Sequence, residues 1–274
     1  MSRIARRFAA LKAQGRGALI PYLQACDPDC ETSLALLRAM PGAGADLIEI
    51  GVPFSDPSAD GPIIQAAARR GLKAGSSMAR VLDMVARFRA EDDETPIVLM
   101  GYLNPIEAYG PARFCADAAR AGVDGLIVVD LPPEEADLLE GAAAAHGLDI
   151  IRLVAPTTVG DRLGLVCGHA SGFIYYVSIT GVTGTRTAST EELAAALPLL
   201  RAATGLPVAI GFGIRTPEQA AAAVRVADAA VVASALIATL EGTLDAEGRA
   251  TGETLPRVLA QLRALAEAVR GARG

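Results

Sequence analysis

Eight short apolar runs recur along this chain, and each is parted from the next by a longer stretch with helical spacing. That alternation constrains the fold more than any other feature. The strand candidates are residues 18–23, 46–50, 97–100, 125–129, 150–154, 173–177, 207–210 and 229–233. Helical patterns fill 31–40, 63–72 with 78–90, 111–121, 133–146, 159–167, 190–203 and 217–226, and two more, 3–14 and 254–270, flank the set. Helix starts are marked at Thr216-Pro217-Glu218 and Ser189-Thr190-Glu191-Glu192, and Gly42, Gly122 and Gly147 close others. Strands apolar on both faces and separated by helices imply a parallel sheet covered on both sides. Eight such units predict an α/β fold, a (β/α)8 TIM barrel with an extra N-terminal helix, spanning 1–274 as one domain. A doubly wound open sheet is the structural alternative. It lacks its usual G-x-G-x-x-G after the first strand, and Gly211-Phe212-Gly213 follows the seventh instead.

Composition narrows the function. The chain has 274 residues, 51% hydrophobic and 20% charged, enough for one large core or two small ones. A net charge of −6, 4% aromatic residues and no basic block argue against nucleic acid or an anionic membrane as partner. The longest apolar candidate, 229–240, is too short to span a bilayer and is interrupted by Ser234. The basic start M-S-R-I-A-R-R-F runs into Lys12, Gln14 and Arg16, so an amphipathic first helix is expected rather than a secretory leader. Cys26, Cys30, Cys115 and Cys167 lack the nearby histidines or second pair of a zinc set, so free thiols in a reducing cytoplasm are expected.

In such barrels the chemistry sits at the C-terminal strand ends. Asp27, Glu49, Asp56, Asp60 and Asp130 have that address. His146 and His169 each precede a strand and fall on the opposite face, and neither lysine, Lys12 or Lys73, lies on a strand. A Schiff-base aldolase, a zinc aldolase and a nucleophilic triad all need residues this face does not offer. What remains is carboxylate acid/base catalysis on a small molecule. Glu49, set among Leu47, Ile48 and Ile50, faces either the barrel interior or the helix layer, and burying it demands a reason. Asp56 before Pro57 also reads as a turn residue, and Asp60-Gly61-Pro62 as a helix cap. Tyr102-Leu103-Asn104-Pro105 is a turn by composition, with a pocket role as the alternative. Tyr175 and Tyr176 point to opposite sides of one strand. Gly211 and Gly213 after strand seven, Ser234 after strand eight and the glycine-rich 181–184 stretch suggest a phosphate site built from backbone N–H groups.

Five segments carry a family likeness: L-I-E-I-G-V-P-F-S-D-P-S-A-D-G at 47–61, G-Y-L-N-P at 101–105, G-V-D-G-L-I-V-V-D-L-P at 122–132, S-I-T-G-V-T-G at 178–184 and G-F-G-I at 211–214. With them the chain resembles the α subunits of tryptophan synthase along nearly its whole length. The resemblance implies retro-aldol cleavage of indole-3-glycerol phosphate to indole and D-glyceraldehyde 3-phosphate, with Glu49 and Asp60 as the catalytic carboxylates. It puts Tyr22, Ile64, Met100, Ile127, Tyr175, Thr183 and Phe212 around the substrate. Gly184, Gly211, Gly213 and Ser234 fall at its phosphate. It implies a β subunit met through Pro53, Asp56, Asn104 and Pro132 in an α2β2 tetramer that receives the indole. No cofactor is expected in this chain, pyridoxal phosphate belonging to the β partner. Ser58, Ala233 and Tyr22 depart from the family's usual residues. A stand-alone lyase and a catalytically impaired allosteric partner are the alternatives.

Overall fold

The structure, a computed structural model, describes residues 1–177, 190–211 and 213–273. In chain order the elements are α1 (Arg3–Ala13), β1 (Ala18–Gln24), α2 (Cys30–Ala39), β2 (Ile48–Gly51), α3 (Pro62–Lys73), α4 (Met78–Arg89), β3 (Ile97–Gly101), α5 (Leu103–Tyr109), α6 (Pro111–Ala121) and β4 (Gly125–Val128). A 3-10 turn (Pro133–Leu138), α7 (Glu140–Ala145), β5 (Asp149–Ile150), β6 (Arg152–Val154), α8 (Asp161–Gly168), β7 (Ile174–Val177), α9 (Thr190–Ala203) and β8 (Val208–Gly211) follow. The chain ends with α10 (Pro217–Val226), β9 (Ala229–Val232), α11 (Ser234–Glu241), α12 (Thr254–Arg270) and a last 3-10 turn. The strands pair in the order β5-β4-β3-β2-β1-β9-β8-β7-β6, all in parallel.

The fifth expected strand is two short ones, β5 and β6, that meet at Ile151. Before that residue the chain pairs with β4, and after it with β7. The two ends of the sheet are therefore consecutive in the chain, and the covalent backbone brings the barrel round on itself. The predicted (β/α)8 barrel with an additional N-terminal helix is the architecture observed.

Strand parity divides the core. Ala18, Ile20, Leu47, Val98, Ile127, Ile151, Phe173, Tyr175, Ala209, Ala229 and Val231 form one buried cluster with Ile4, Phe8 and Leu11 of α1. Their alternates, among them Leu19, Ile48, Ile50, Leu99, Ile174, Tyr176 and Ile210, pack with the surrounding helices. The first cluster is the barrel interior, and α1 closes its N-terminal end with the Phe8 and Phe173 rings 5.8 Å apart. Gly125 makes room for this plug, since a Cβ there would lie 2.6 Å from the Ile151 side chain and 3.1 Å from that of Ile4.

Carboxylates lock that end from outside. Asp46, Asp124 and Asp228 each precede a strand and each accept an N–H from the neighbouring one: Leu19 at 2.9 Å, Ile97 at 2.8 Å and Val208 at 2.9 Å. Asp46 also holds Arg7 and Arg16, while Asp124 holds Arg3 and Arg89. Arg3 and Arg7 belong to α1, so the same ion pairs tie the plug to the sheet. His169 lies at this end too, its Nδ1 2.9 Å from Glu140.

Three sequence expectations need correction. Residues 102–105 are not a plain turn. Tyr102 is the N-cap of α5, and Pro105 sits in its first turn, where no N–H is needed. The single helix expected over 133–146 is a 3-10 turn followed by α7. Pro133, Ala136 and Leu139 are buried at a spacing of three, which suits 3-10 rather than α geometry. Cys26 and Cys30 are not free: the structure joins them in a disulfide. Cys26 adopts a left-handed φ of 58° and the chain turns at Asp27–Pro28 (a cis peptide bond), so the start of α2 folds back over Cys26. Spacing alone could not show that return. Cys115 and Cys167 are free and buried.

Asp46→Ala removes an acceptor from the Leu19 N–H and leaves two arginines without their carboxylate. We expect a loss of about 2–4 kcal/mol in urea unfolding with turnover per folded molecule unchanged, because the site lies at the other end. A change below about 0.5 kcal/mol would show that the lock contributes nothing.

Candidate active site

Glu49 shares strand parity with Leu47, so the closed barrel turns it inward. It is in register with Tyr22 on β1 and Val98 on β3. It is 0% exposed, and neither carboxyl oxygen has a hydrogen-bond partner among the described residues. An ionised carboxylate without donors in such a place is costly. Burial accordingly pushes the carboxyl up to about 8.

Above Glu49 the next inward residue is Gly51. A Cβ there would run into the Tyr22 ring and hydroxyl and lie 2.7 Å from Gln24 Oε1, so only glycine fits. The Tyr22 hydroxyl donates to Gln24 Oε1 at 2.5 Å, and Gln24 Nε2 donates to the Gly51 carbonyl at 3.3 Å. Tyr22 also lies in the field of Asp60 and Glu49, and its hydroxyl is held well above its ordinary range, first by burial and then by those two acids. Burial and then the Glu49 charge do the same to Tyr175. These four side chains share one electrostatic neighbourhood at the mouth of the barrel.

Asp60 ends the loop between β2 and α3. It is not the helix cap that its sequence context allows. Gly61 holds the N-cap position without any side-chain cap bond, and Pro62 begins the helix. The Asp60 carboxyl is thereby released toward the site. Burial raises it and the hydroxyl of Tyr102 lowers it, burial prevailing.

Tyr22, Ala67 and Ile237 form a small apolar cluster at this end, joined by Ile63, Ile64, Met100 and Ala233. Three of the residues expected around the substrate, Tyr22, Ile64 and Met100, thus converge. Ile127 and Tyr175 line the interior just below. Thr183, Gly184 and Phe212 lie outside the described residues. Gly211 ends β8 against Tyr175, whose ring leaves no room for a Cβ. Gly213 has φ 85°. Ser234 is the first residue of α11 and not its cap; Ala233 holds that position. The first intrahelical bond is made by the Leu236 N–H, so those of Ser234 and Ala235 stand ahead of it at the positive end of the helix dipole.

Of the residues expected to meet a partner, Asp56, Asn104 and Pro132 are exposed, while Pro53 is buried beneath the loop near Gly71. Two other strand-end acids have structural duties. Asp27, 0% exposed, is gripped by Arg70 at 2.6 and 2.9 Å, and Arg70 reaches on to Glu241 of α11. Asp130 accepts the Leu103 N–H at 2.8 Å and so anchors the start of α5. Sequence reasoning overlooked Gln24 and Arg70 as site-building residues. Tyr102, which directly follows a strand end, it left between a turn and a pocket role.

The model of the family described as "Tryptophan synthase alpha chain" matches residues 8–269. A tryptophan synthase alpha chain of Gluconacetobacter diazotrophicus is 88% identical over 273 residues, covering 100% of both chains. That of Gluconobacter oxydans is 71% identical over 98% of this chain and 100% of its own. Among solved structures, tryptophan synthase subunit alpha from Legionella pneumophila superposes with a TM-score of 0.89 at 40% identity, over 98% of each chain. Mycobacterium tuberculosis tryptophan synthase gives 0.88 at 37%, also over 98% of each. The chain therefore belongs to the tryptophan synthase alpha chain family, an enzyme of tryptophan biosynthesis that cleaves indole-3-glycerol phosphate.

Proposed function

We propose that the cleavage runs on two carboxyl groups of this chain, Glu49 as proton shuttle and Asp60 as anchor of the indole N–H. The observation that carries this reading is Glu49 itself, buried, without a donor among the described residues and protonated at neutral pH. Such a group starts as an acid. It donates its proton to indole C3, and the positive charge that develops on the ring spreads to the N–H held by the Asp60 carboxylate. Glu49, now ionised, takes the proton of the side-chain hydroxyl next to the breaking bond. The electron pair of that C–C bond returns to the indole ring, the oxygen becomes the aldehyde carbonyl, and Glu49 ends protonated as it began. The step consumes no external electron, so we assign no cofactor to this chain; pyridoxal phosphate belongs to the β partner.

The substrate phosphate goes to the end of β8 and the start of α11. Gly211, Gly213, Ser234 and, beyond the described residues, Gly184 supply N–H groups there. Tyr22, Ile64, Met100, Ile127 and Tyr175, with Thr183 and Phe212, enclose the indole and glycerol portions. Membership of the family implies a β-subunit partner in general. The finer reading is an α2β2 tetramer that takes up the released indole, meeting this chain at the exposed Asp56, Asn104 and Pro132, with Pro53 supporting the loop from beneath. Among the described residues no helix is long and apolar enough to cross a membrane. We place the enzyme in the cytoplasm.

Indole release from indole-3-glycerol phosphate, measured with the purified chain alone and then with a β subunit added, tests the whole reading. Glu49→Gln is expected to fold, to keep its affinity for glycerol phosphate and to lose roughly 10²-fold or more in turnover. Near-normal turnover in that variant would sink the assignment. In the unsubstituted enzyme kcat/KM should decline as pH rises through about 8, because the shuttle then starts without its proton.

Stability reports on the same group. A carboxyl that titrates at 4.5 unfolded and about 8 folded gives the folded state an extra proton between those values. The stabilisation is complete below pH 4.5 and is lost as pH rises through about 8. Glu49→Gln lacks this slope, so its melting temperature relative to the unsubstituted chain should climb steadily from about pH 5 to about pH 8. Parallel melting curves across that range would show that Glu49 is ionised in the folded protein.

A further inference from the structure

We propose that Tyr102 is a positioning residue for Asp60: its hydroxyl accepts the N–H of Ala59, the residue before that acid, and so holds the Asp60 carboxylate in the mouth of the barrel. This rests on the assignment of Asp60 to the indole N–H. The Ala59 N–H lies 3.0 Å from the Tyr102 oxygen. A phenol has one proton to give. With Ala59 occupying the acceptor side, that proton is left for the adjacent Asp60 carboxylate.

The tyrosine is a rigid support. It is 5% exposed, and its ring packs on Phe54 at 5.3 Å. Its backbone forms the N-cap of α5, whose first N–H is held by Asp130 at 2.8 Å. Asp60, by contrast, ends an irregular loop whose tip, Ser55, Asp56, Ser58 and Ala59, is exposed. Among the described residues the other tie to Asp60 is a bond from Gln65 Nε2 to its carbonyl at 2.9 Å, which does not orient the carboxyl. Tyr102 therefore ties the β2–α3 loop to the β3–α5 junction through Ala59, the residue next to Asp60.

The bond also bears on charge. Burial works to protonate Asp60, and the Tyr102 hydroxyl opposes it. The other groups around it do not help. Tyr22 on β1 shares its field and is neutral, Glu49 on β2 is an acid, and Arg70 on α3 is turned away to Asp27 and Glu241. Among the described residues Tyr102 is the group that favours the carboxylate.

Tyr102→Phe keeps the ring on Phe54 and removes only the hydroxyl. We expect kcat for indole release to fall about 10-fold or more while KM changes less than about threefold. The acid limb of the kcat/KM–pH profile should move to higher pH, since Asp60 loses the hydroxyl that favours its charged form. A merely structural role would lower the melting temperature without moving that limb. In Asp60→Asn, adding Tyr102→Phe should cost little more, because the tyrosine acts through the acid. An unmoved acid limb, or the same fold-loss in the Asp60→Asn background as in the unsubstituted enzyme, overturns the proposal. Near-normal turnover of Asp60→Asn alone would instead overturn the assignment of Asp60, so the two failures are told apart.

Discussion

The structure depends on one constraint: a closed parallel barrel has an inside, and only every second residue of each strand can occupy it. Once Leu47 is inward, Glu49 is inward too, and the barrel gives it neither water nor a donor among the described residues. The same parity brings Tyr175 in with Phe173 and sends Tyr176 out to the helices. An acid in that position is held neutral by desolvation alone. The raised carboxyl of Glu49 thus arises from closure of the sheet rather than from any neighbouring charge.

The two ends of the barrel solve opposite problems. At the N-terminal end the carboxylates that precede the strands, Asp46, Asp124 and Asp228, are satisfied. Asp46 and Asp124 accept strand N–H groups and arginines, and the plug helix α1 is fastened by the same acids. At the C-terminal end Glu49 and Asp60 are left with few partners. Asp27 shows that this is not a general property of acids at that end, for Arg70 grips it in two bonds. Among the described residues both carboxyl oxygens of Glu49 are buried without a partner, at the place where a substrate would satisfy them.

Much of this was legible in the chain. Strand positions agreed closely because runs such as residues 208–211 and 229–232 are buried on both faces and are apolar throughout. Glu49 and Asp60 stood out because acids beside such runs are expensive to bury. What could not be read were contacts between residues distant in sequence. The division of the fifth strand at Ile151 reflects a change of partner from β4 to β7, which no local pattern encodes. The Cys26–Cys30 pairing depends on the path of the chain between the two residues, and the start of α5 on an acid 27 positions away.

The sequence by itself determined the alternation of strands and helices, the number of units, the strand-end addresses of the acids and the family. These are local patterns, set by side-chain polarity and spacing. Only the tertiary structure decided which face of each strand is inside, that Asp60 is freed from capping by Gly61, and that Tyr102 reaches across from another unit to Ala59 beside it. The reason is physical. Desolvation and hydrogen bonding act through space, and a residue's partners are known only when the barrel has closed.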